Sequence, residues 1–506
     1  MKNNEKNKII AKNTLLLSVR MLLIMFITLY TSRVILNTLG VEDFGIYSVV
    51  GGIVMMFGFL NSSMATATQR FLSFELGKKD YSQLSKIFSI SVNIHVIISL
   101  VILILAETIG LWVLNNKLTI PEDRIMAANW VYQFSILAFM VTIISVPYNA
   151  VIIAYERMNV FAVVSIIEVS LKLLIVFILQ WLGFDKLKLY AVLVFAVALI
   201  IRMIYGIYTS RNFPECKYKF LWDKSLYKTI MNYASWSLAG NLSVVLSGQG
   251  VNILLNIFFG PAINAARAIA YQIETAVNGF IINFQTAMNP QIIKSYAVKD
   301  MQYMHQLIYQ GAKFSFFIFF ALSLPILMET KIILKVWLNI VPEYTIVFTQ
   351  LIIINTLINS VSGPIRTAAQ ATGKIKLFQG VVGGLLLLNL PVSFVFLKLG
   401  FPPEITVYIS IFLSVITLWA RLKIVSSLVG ISLNDFIMKV ILKMFYIVFI
   451  SVSFSLIVNE LYPNYRYHSA FMIFISFIFG ILSIIIFGLN NDERQYVFNK
   501  LKKLNK

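Results

Sequence analysis

The chain has 506 residues, of which 59% are hydrophobic and only 13% are charged. Soluble domains carry about 25% charged residues, so this composition excludes an ordinary soluble protein and indicates one that lies in a bilayer. The formal net charge of +20 does not indicate nucleic-acid binding, because the lysines and arginines lie in short stretches between apolar runs. The single cysteine, Cys216, excludes an intrachain disulfide and indicates no thiolate metal site.

The N-terminus is basic and precedes an apolar run from about Leu15 to Leu36. Secretory signals open in the same way, but their apolar region is shorter and ends at a small-residue cleavage site. We therefore interpret this run as a retained first membrane helix.

A membrane-spanning helix needs about 20 mostly apolar residues, and this requirement predicts an all-α integral membrane protein with about 14 transmembrane helices. The predicted helices lie near 13–37, 44–64, 87–108, 127–153, 158–183, 188–209, 232–258, 264–289, 307–329, 344–365, 376–398, 403–425, 434–459 and 467–489. The seventh is the least apolar and contains Gln249 and Asn252, so we expect it to face protein or water.

Most lysines and arginines fall in the connections on the side of the N-terminus. Positive charge marks the cytoplasmic side of membrane proteins. An even number of helices then predicts that both termini are cytoplasmic.

Two stretches of the chain follow the same plan of apolar helix, glycine, second helix and polar patch. Gly40 and Asp80 mark the first, and Gly260 and Asp300 mark the second, so both anchors are offset by 220 positions (260 − 40 and 300 − 80). The shared offset indicates a duplication. It predicts two parallel six-helix lobes at 1–210 and 232–430, joined by a cytoplasmic linker at 211–231. Helices thirteen and fourteen and a basic tail, 431–506, follow the second lobe.

Charged residues inside the predicted helices are energetically costly and are therefore candidates for function. The cations are Arg33, Lys172, Arg202, Arg267 and Lys313, and the two central acids are Glu168 and Glu274. An excess of cations suits an anionic ligand in a central cavity. The alternative for cations near helix ends is that their long side chains reach the membrane surface.

Three of these groups have further interpretations. Lys172 follows Glu168 by four residues, so the two form either a self-neutralising pair or a polar cavity wall. Arg267 and Glu274 share one face of the eighth helix, the best candidate for a cavity-facing surface. His95 is either a proton relay or a histidine simply hydrogen-bonded to a neighbouring helix.

Several motifs are absent from the sequence. It contains no GxxxxGK[ST] phosphate loop, no HExxH and no paired Cys/His spacing. We therefore expect neither ATP hydrolysis by a phosphate loop nor a metal site. No nucleophile–base constellation is evident, so an enzyme is not the expected function.

LGVEDFGIYS (39–48) and ATQRFLSFELGKKD (67–80), with Arg33 before them, resemble the opening of Wzx-type polysaccharide flippases. These belong to the multidrug/oligosaccharidyl-lipid/polysaccharide (MOP) exporter superfamily, which also contains MATE transporters and lipid II flippases. The resemblance implies a V-shaped molecule whose first, second, seventh and eighth helices line a central cavity. It implies transport of an undecaprenyl-pyrophosphate-linked oligosaccharide from the cytoplasmic to the outer leaflet for O-antigen, capsule, exopolysaccharide or teichoic-type polymers.

By this resemblance the protein works in the bacterial inner membrane by alternating access, in contact with membrane lipids and other polysaccharide-assembly proteins. Arg33 and Arg267 fit the role of pyrophosphate ligands best, with Lys172, Arg202 and Lys313 as further candidates. Polar groups that could couple transport to H⁺ or Na⁺ are Glu168, Glu274, His95, Gln249 and Asn252.

Two other functions remain possible from the sequence. An ion-coupled multidrug exporter of the same superfamily would favour acids and aromatic residues for cationic drugs, and the excess of cations argues against it. A membrane-embedded glycan polymerase or ligase would be expected to carry a large outside loop, which the sequence lacks.

Overall fold

The computed structural model describes residues 2–55, 58–117, 120–181, 184–259, 261–338, 341–461, 468–490 and 493–495. Within these ranges the regular structure is helical throughout, and no strand occurs. Hydropathy therefore predicted the fold class correctly.

Nineteen α-helices are described, numbered in chain order. The first seven are α1 (Lys2–Met55), α2 (Gly58–Lys78), α3 (Tyr81–Leu105), α4 (Leu111–Lys117), α5 (Ile125–Ala154), α6 (Met158–Trp181) and α7 (Lys186–Asn212). The next six are α8 (Lys224–Phe259), α9 (Pro261–Ala297), α10 (Met301–Met328), α11 (Thr330–Leu338), α12 (Thr345–Ser360) and α13 (Ser362–Thr372). The last six are α14 (Lys376–Leu387), α15 (Asn389–Lys398), α16 (Ile405–Val429), α17 (Leu433–Phe436), α18 (Leu442–Leu461) and α19 (His468–Ser483).

Twelve helical stretches of the described chain are long and apolar enough to cross a membrane. The second and eighth predicted spans are not among the twelve, and they fall on α1–α2 and on α9. The structure extends these two helices to Lys78 and Ala297, beyond the predicted ends at 64 and 289. Hydropathy placed the ends too early because it detects apolar composition, whereas a helix continues through polar residues that leave the hydrocarbon.

Two compact units make up the chain. The first unit holds Met1–Asn241 and Ile293–Lys299, and the second unit holds Leu242–Ile292 and Asp300–Lys506. The division therefore falls inside α8 rather than in the connection at 211–231. The lobe bounds inferred from the repeat stay a prediction.

Each unit has its own apolar core. In the first unit, Val50 of α1 and Tyr132 of α5 belong to a cluster of buried hydrophobic side chains. In the second unit, Leu255 of α8, Ala270 of α9 and Phe348 of α12 belong to another. Close packing of these helices fixes the positions of the polar side chains that they carry.

Glycine breaks α1 where the sequence analysis expected a helix end. Gly40 has φ 83° and ψ 167°, a backbone conformation that side chains with a Cβ rarely adopt. Gly260, its counterpart in the repeat, lies outside the described residues.

The other anchor of the repeat has the same geometry in both copies. Lys79 and Lys299 follow α2 and α9 in left-handed conformation, with φ of 61° and 59°. Asp80 and Asp300 then cap α3 and α10, and each carboxylate accepts a hydrogen bond from the backbone N–H three residues later, at 2.9 and 3.1 Å. Two matching turns separated by 220 positions (300 − 80) support the inferred duplication.

The last turns of α2 and α9 pack closely within the first unit. A Cβ atom added to Gly77 would lie 2.8 Å from Ala297 Cβ and 2.9 Å from both Cα and O of Lys294. Lys294 also forms an ion pair with Glu156, which follows α5. Only glycine at position 77 permits this approach of the two helices.

Helices α18 and α19 belong to the second unit and pack on α10. Their own contact includes stacked rings of Phe454 and Phe479, with centroids 3.6 Å apart, and a 2.6 Å hydrogen bond between Ser451 and Ser483. The thirteenth and fourteenth predicted helices are therefore an integral part of this unit.

Candidate functional site: buried charges in each unit

Arg267 of α9 is held by neutral groups in the second unit. Its side chain is buried, with the residue 8% exposed. One terminal nitrogen donates to Asn252 Oδ1 at 3.3 Å and the other to the Tyr271 hydroxyl at 3.4 Å, and the guanidinium carbon lies 4.8 Å from the Tyr271 ring centroid. Asn264 Nδ2 donates to the same Asn252 oxygen at 2.7 Å. Arg267 Nε is buried without a hydrogen-bond partner, so this cluster retains both a positive charge and a free donor.

Glu274 lies on the same helix seven positions after Arg267, and it has separate partners. The hydroxyl of Thr356 on α12 donates to Oε1 at 3.2 Å, and that of Thr275 donates to Oε2 at 3.4 Å. The described hydrogen-bond partners of both residues are neutral groups, and the two side chains form no ion pair with each other in this part of the structure.

The two polar residues predicted on α8 differ in environment. Asn252 belongs to the Arg267 cluster, whereas Gln249 is exposed. Between them, Gly250 faces α15, where an added Cβ would lie 2.3 Å from Leu390 Cδ2. Close packing at Gly250 fixes the position of α8 beside the cluster.

In the first unit, Glu168 and Lys172 of α6 form an ion pair of 2.6 Å. Both side chains are partly exposed, at 39% and 43%. The ion pair that their spacing allows is thus present, and both groups are accessible; a polar cavity wall stays a prediction.

Two arginines of the first unit lie against aromatic rings. Arg20 of α1 is placed 4.4 Å from the Phe161 ring centroid and close enough to Glu168 to interact electrostatically. Arg202 of α7 lies 3.7 Å from the ring centroid of Tyr148 on α5, a cation–π contact. Arg20 was missed by the sequence analysis because one charge hardly alters the hydropathy of a long apolar run.

His95 of α3 is completely buried. Its Nδ1 lies 2.7 Å from the carbonyl oxygen of Ser91, one turn earlier in the same helix, and its Nε2 is buried without a partner. The bond is therefore within its own helix rather than to a neighbouring one. A proton-relay role for His95 stays a prediction.

Lys313 of α10 is paired with a residue that the sequence analysis did not consider. Its Nζ lies 2.6 Å from Glu493 Oε2, and Gln310 donates to the other carboxylate oxygen at 3.2 Å. The side chains of Lys313 and Glu493 are 4% and 12% exposed. This pair ties the segment after α19 to α10 and neutralises the lysine.

Breaking this pair is expected to destabilise the protein. Glu493→Gln leaves a buried lysine without a counter-charge, and removing one partner of a buried pair costs about 3–5 kcal/mol. We expect a clearly lower thermal unfolding midpoint in detergent. The control is Asp435→Asn, because the Asp435–Lys439 pair is exposed and such pairs contribute about 0–1 kcal/mol. Equal midpoints for the two variants would contradict a stabilising role for Lys313–Glu493.

The side chain of Arg33, a predicted pyrophosphate ligand, lies outside the described part of the structure, although its backbone belongs to α1. Its proposed role stays a prediction.

A three-residue ion cluster joins α1 to the connections before α5 and before α7 in the first unit. Arg124, just before α5, donates to Asp43 Oδ1 through Nε at 2.8 Å and pairs with Asp185 at 3.0 Å. Partial burial alone would raise the pKa of the Asp185 carboxyl, but backbone N–H donors and Arg124 outweigh it and hold that pKa below its ordinary value. We call this group the Arg124 cluster.

Cys216 lies between α7 and α8 and is 1% exposed. Burial, together with the nearby Glu215, raises the pKa of its thiol above the usual range. Because only the thiolate reacts readily, we expect maleimide to label the native protein at least tenfold more slowly than the denatured protein between pH 7 and 8. Mass spectrometry of the intact protein measures this, and rapid native labelling would show that the thiol is accessible.

No group of three or more His, Cys, Asp or Glu residues placed to hold a metal ion occurs within the described ranges.

Comparisons with known proteins agree with this membrane architecture. The structure is similar to the outward-facing conformation of a multidrug resistance MATE family transporter of the MOP superfamily. The TM-score is 0.72 at 13% identity, covering 84% of this chain and 96% of that one. It is also similar to the bent form of the Vibrio cholerae MATE transporter VcmN, with TM-score 0.66 and 16% identity over 84% and 98% of the two chains. At such identities the likeness shows the fold alone.

A comparison with curated proteins found no match. The model of a family described as polysaccharide biosynthesis protein matches residues 10–296, more than half of the chain. The chain therefore belongs to this polysaccharide biosynthesis family and has the fold of MOP-superfamily transporters.

Proposed function

We propose that this protein is a flippase that moves an undecaprenyl-pyrophosphate-linked oligosaccharide from the cytoplasmic to the outer leaflet. The transported unit would be used for O-antigen, capsule, exopolysaccharide or teichoic-type polymers. Family membership supports a role in polysaccharide synthesis, and the fold supports transport rather than catalysis.

The observation that carries this proposal is the buried Arg267. An arginine inside a membrane protein is costly and is typically retained for a ligand or ion pathway. Here its described contacts are an amide oxygen, a hydroxyl and a ring. A diphosphate group offers paired oxygens that match the fork of guanidinium donors and would balance the charge.

In the proposed mechanism, alternating access exposes the bound headgroup first to the cytoplasmic side and then to the outer side. Arg267 and Arg33 are the first candidates for ligands of the diphosphate, and Arg202 and Lys172 are secondary candidates. Lys313 is the weakest of the proposed ligands because Glu493 neutralises it. Glu274, Glu168 or His95 would couple transport to H⁺ or Na⁺, since these groups can change protonation or bind a cation.

We place the protein in the bacterial inner membrane with both termini in the cytoplasm. Its proposed partners are the lipid-linked oligosaccharide, membrane lipids and other polysaccharide-assembly proteins.

Reconstitution into sealed liposomes tests the proposal. A fluorescent pyrophosphate-linked oligosaccharide is incorporated, and a membrane-impermeant quencher reports the fraction in the outer leaflet over time. Protein-dependent exchange between leaflets supports a flippase. If none of several pyrophosphate-linked oligosaccharides exchanged between the leaflets, the result would contradict the proposal.

An ion-coupled drug exporter is the second candidate, because the solved structures of similar fold are MATE transporters. The same liposomes, loaded with a cationic dye under a proton or sodium gradient, distinguish the two. Dye efflux without lipid exchange would assign the protein to that function.

A further inference from the structure

Two arginines of the second unit are brought together by α13 and α16, which pack on each other. Arg366 of α13 is exposed, and Arg421 of α16 is partly buried. They lie close enough for their positive charges to repel one another. Neither was among the candidate residues of the sequence analysis.

This cation pair is not neutralised within the described part of the chain. No described carboxylate forms an ion pair or hydrogen bond with either guanidinium, and Arg421 Nε is buried without a partner. Neighbouring like charges disfavour each other, and a bound anion would relieve this repulsion.

The arginines end a polar face that runs between the helices. Ser414 of α16 donates to Asn355 of α12 at 2.7 Å and accepts from Asn359 at 2.9 Å. Farther along, Thr417 Oγ1 and Ser362 Oγ are buried without hydrogen-bond partners. Along this face, hydrogen-bonded polar groups are therefore followed by hydroxyls without partners near the arginines. These hydroxyls are free to donate hydrogen bonds to the oxygen atoms of a ligand.

The first unit offers an internal comparison. Arg202 precedes Arg421 by 219 positions (421 − 202), and Tyr148 precedes Arg366 by 218 (366 − 148), close to the repeat offset of 220. In the first unit the arginine lies on the aromatic ring, 3.7 Å from its centroid. Near the corresponding positions of the second unit, both residues are arginines, Arg366 and Arg421.

We propose that Arg366 and Arg421 form a binding site for the phosphate group of a membrane lipid. Arg366 lies six residues before the end of α13 and Arg421 eight before the end of α16. At 1.5 Å per residue these distances are about 9 and 12 Å, so both side chains lie at a similar depth, within reach of lipid phosphates. Two guanidinium groups can together bind several phosphate oxygens.

This site is distinct from the Arg267 cluster, and its existence does not depend on the flippase activity. Two classes of lipid carry such a phosphate: an anionic phospholipid has a phosphodiester, and a polyprenyl carrier has a terminal phosphate. Both present the same oxygens to the arginines, so a binding experiment has to separate them.

Native mass spectrometry of the full-length protein in detergent provides the test. The probes are dioctanoyl phosphatidylglycerol, undecaprenyl phosphate and inorganic pyrophosphate, and dioctanoylglycerol serves as the lipid without phosphate. We expect Arg366→Ala/Arg421→Ala to weaken binding of the preferred phosphate lipid at least tenfold. Arg366→Lys/Arg421→Lys should retain part of it, and Arg211→Ala, at an exposed position in the last turn of α7, should bind like the wild type.

The preferred probe identifies the source of the phosphate. Tighter binding of phosphatidylglycerol indicates a phospholipid site, and tighter binding of undecaprenyl phosphate indicates a carrier site. Equal binding by the wild type and the double alanine variant, or equal binding of dioctanoylglycerol, would overturn the proposal. Binding of pyrophosphate alone would overturn its lipid part.

A stability measurement separates this site from a structural role. Without phosphate lipid, Arg366→Ala removes the repulsion and should raise the thermal unfolding midpoint. The same variant should lose the stabilisation that the preferred lipid gives the wild type. A lower midpoint in delipidated protein, with lipid stabilisation unchanged, would show that Arg366 only supports the fold.

Discussion

Replacing Arg267 by alanine is expected to abolish lipid exchange in liposomes, with a loss of at least a hundredfold in rate. The variant removes the charge that the proposed diphosphate ligand requires, and hydrogen bonds to charged groups contribute about 1.5–3 kcal/mol each. Because the described partners of Arg267 are neutral, its removal leaves no carboxylate unpaired. The fold should therefore survive the substitution.

Two controls make this result specific. Arg211→Ala removes a cation from an exposed position of α7 and should exchange lipid at the wild-type rate. Arg267→Lys keeps the charge without the planar fork and should retain part of the activity. Normal exchange by Arg267→Ala, present in the liposomes at the wild-type amount, would remove Arg267 from the proposed mechanism.

Replacing Gly77 by alanine is expected to lower the stability of the first unit substantially. The new methyl group would meet both the backbone of Lys294 and the side chain of Ala297 at less than 3 Å. Overpacking typically costs about 1–3 kcal/mol, and a backbone contact cannot be relieved by rotating a side chain. The thermal unfolding midpoint in detergent should fall by several degrees.

Gly58 provides the matched control on the same helix. An added Cβ there meets nothing within 4 Å. In helical backbone, alanine is favoured over glycine by about 0.8–1 kcal/mol, so Gly58→Ala should leave the midpoint unchanged or raise it. Equal effects of the two substitutions would show that the approach of α2 and α9 does not limit stability.

The helices and one break between them could be predicted from composition. A bilayer demands long apolar runs, and the glycine between two such runs marked the bend at Gly40. The duplicated turns at Asp80 and Asp300 could be located because two anchors share one offset, and the capping that they provide depends on a local residue type. Helix ends were less accurate, since polar residues such as Arg70 continue α2 beyond the apolar core.

The buried charges were harder to predict, because their partners lie far away in the chain. Lys313 was proposed as a substrate ligand, yet its counter-charge is Glu493, which is 180 residues distant. Arg366 and Arg421 lay inside or beside apolar runs, where hydropathy gives a single cation little weight. Spacing did predict the pairs within one helix, such as Glu168 and Lys172, because residues four positions apart are neighbours on the helix surface.

The Arg124 cluster has a consequence for the biogenesis of the protein. Its two carboxylates, Asp43 and Asp185, are 142 positions apart in the chain (185 − 43). A ribosome delivers the first of them long before the second, so Arg124 is left with one counter-charge until the connection before α7 has emerged. Closure of the cluster is therefore a late event in the insertion of the first six membrane helices. A nascent chain stopped before Asp185 lacks the contact between the connection before α5 and the connection before α7.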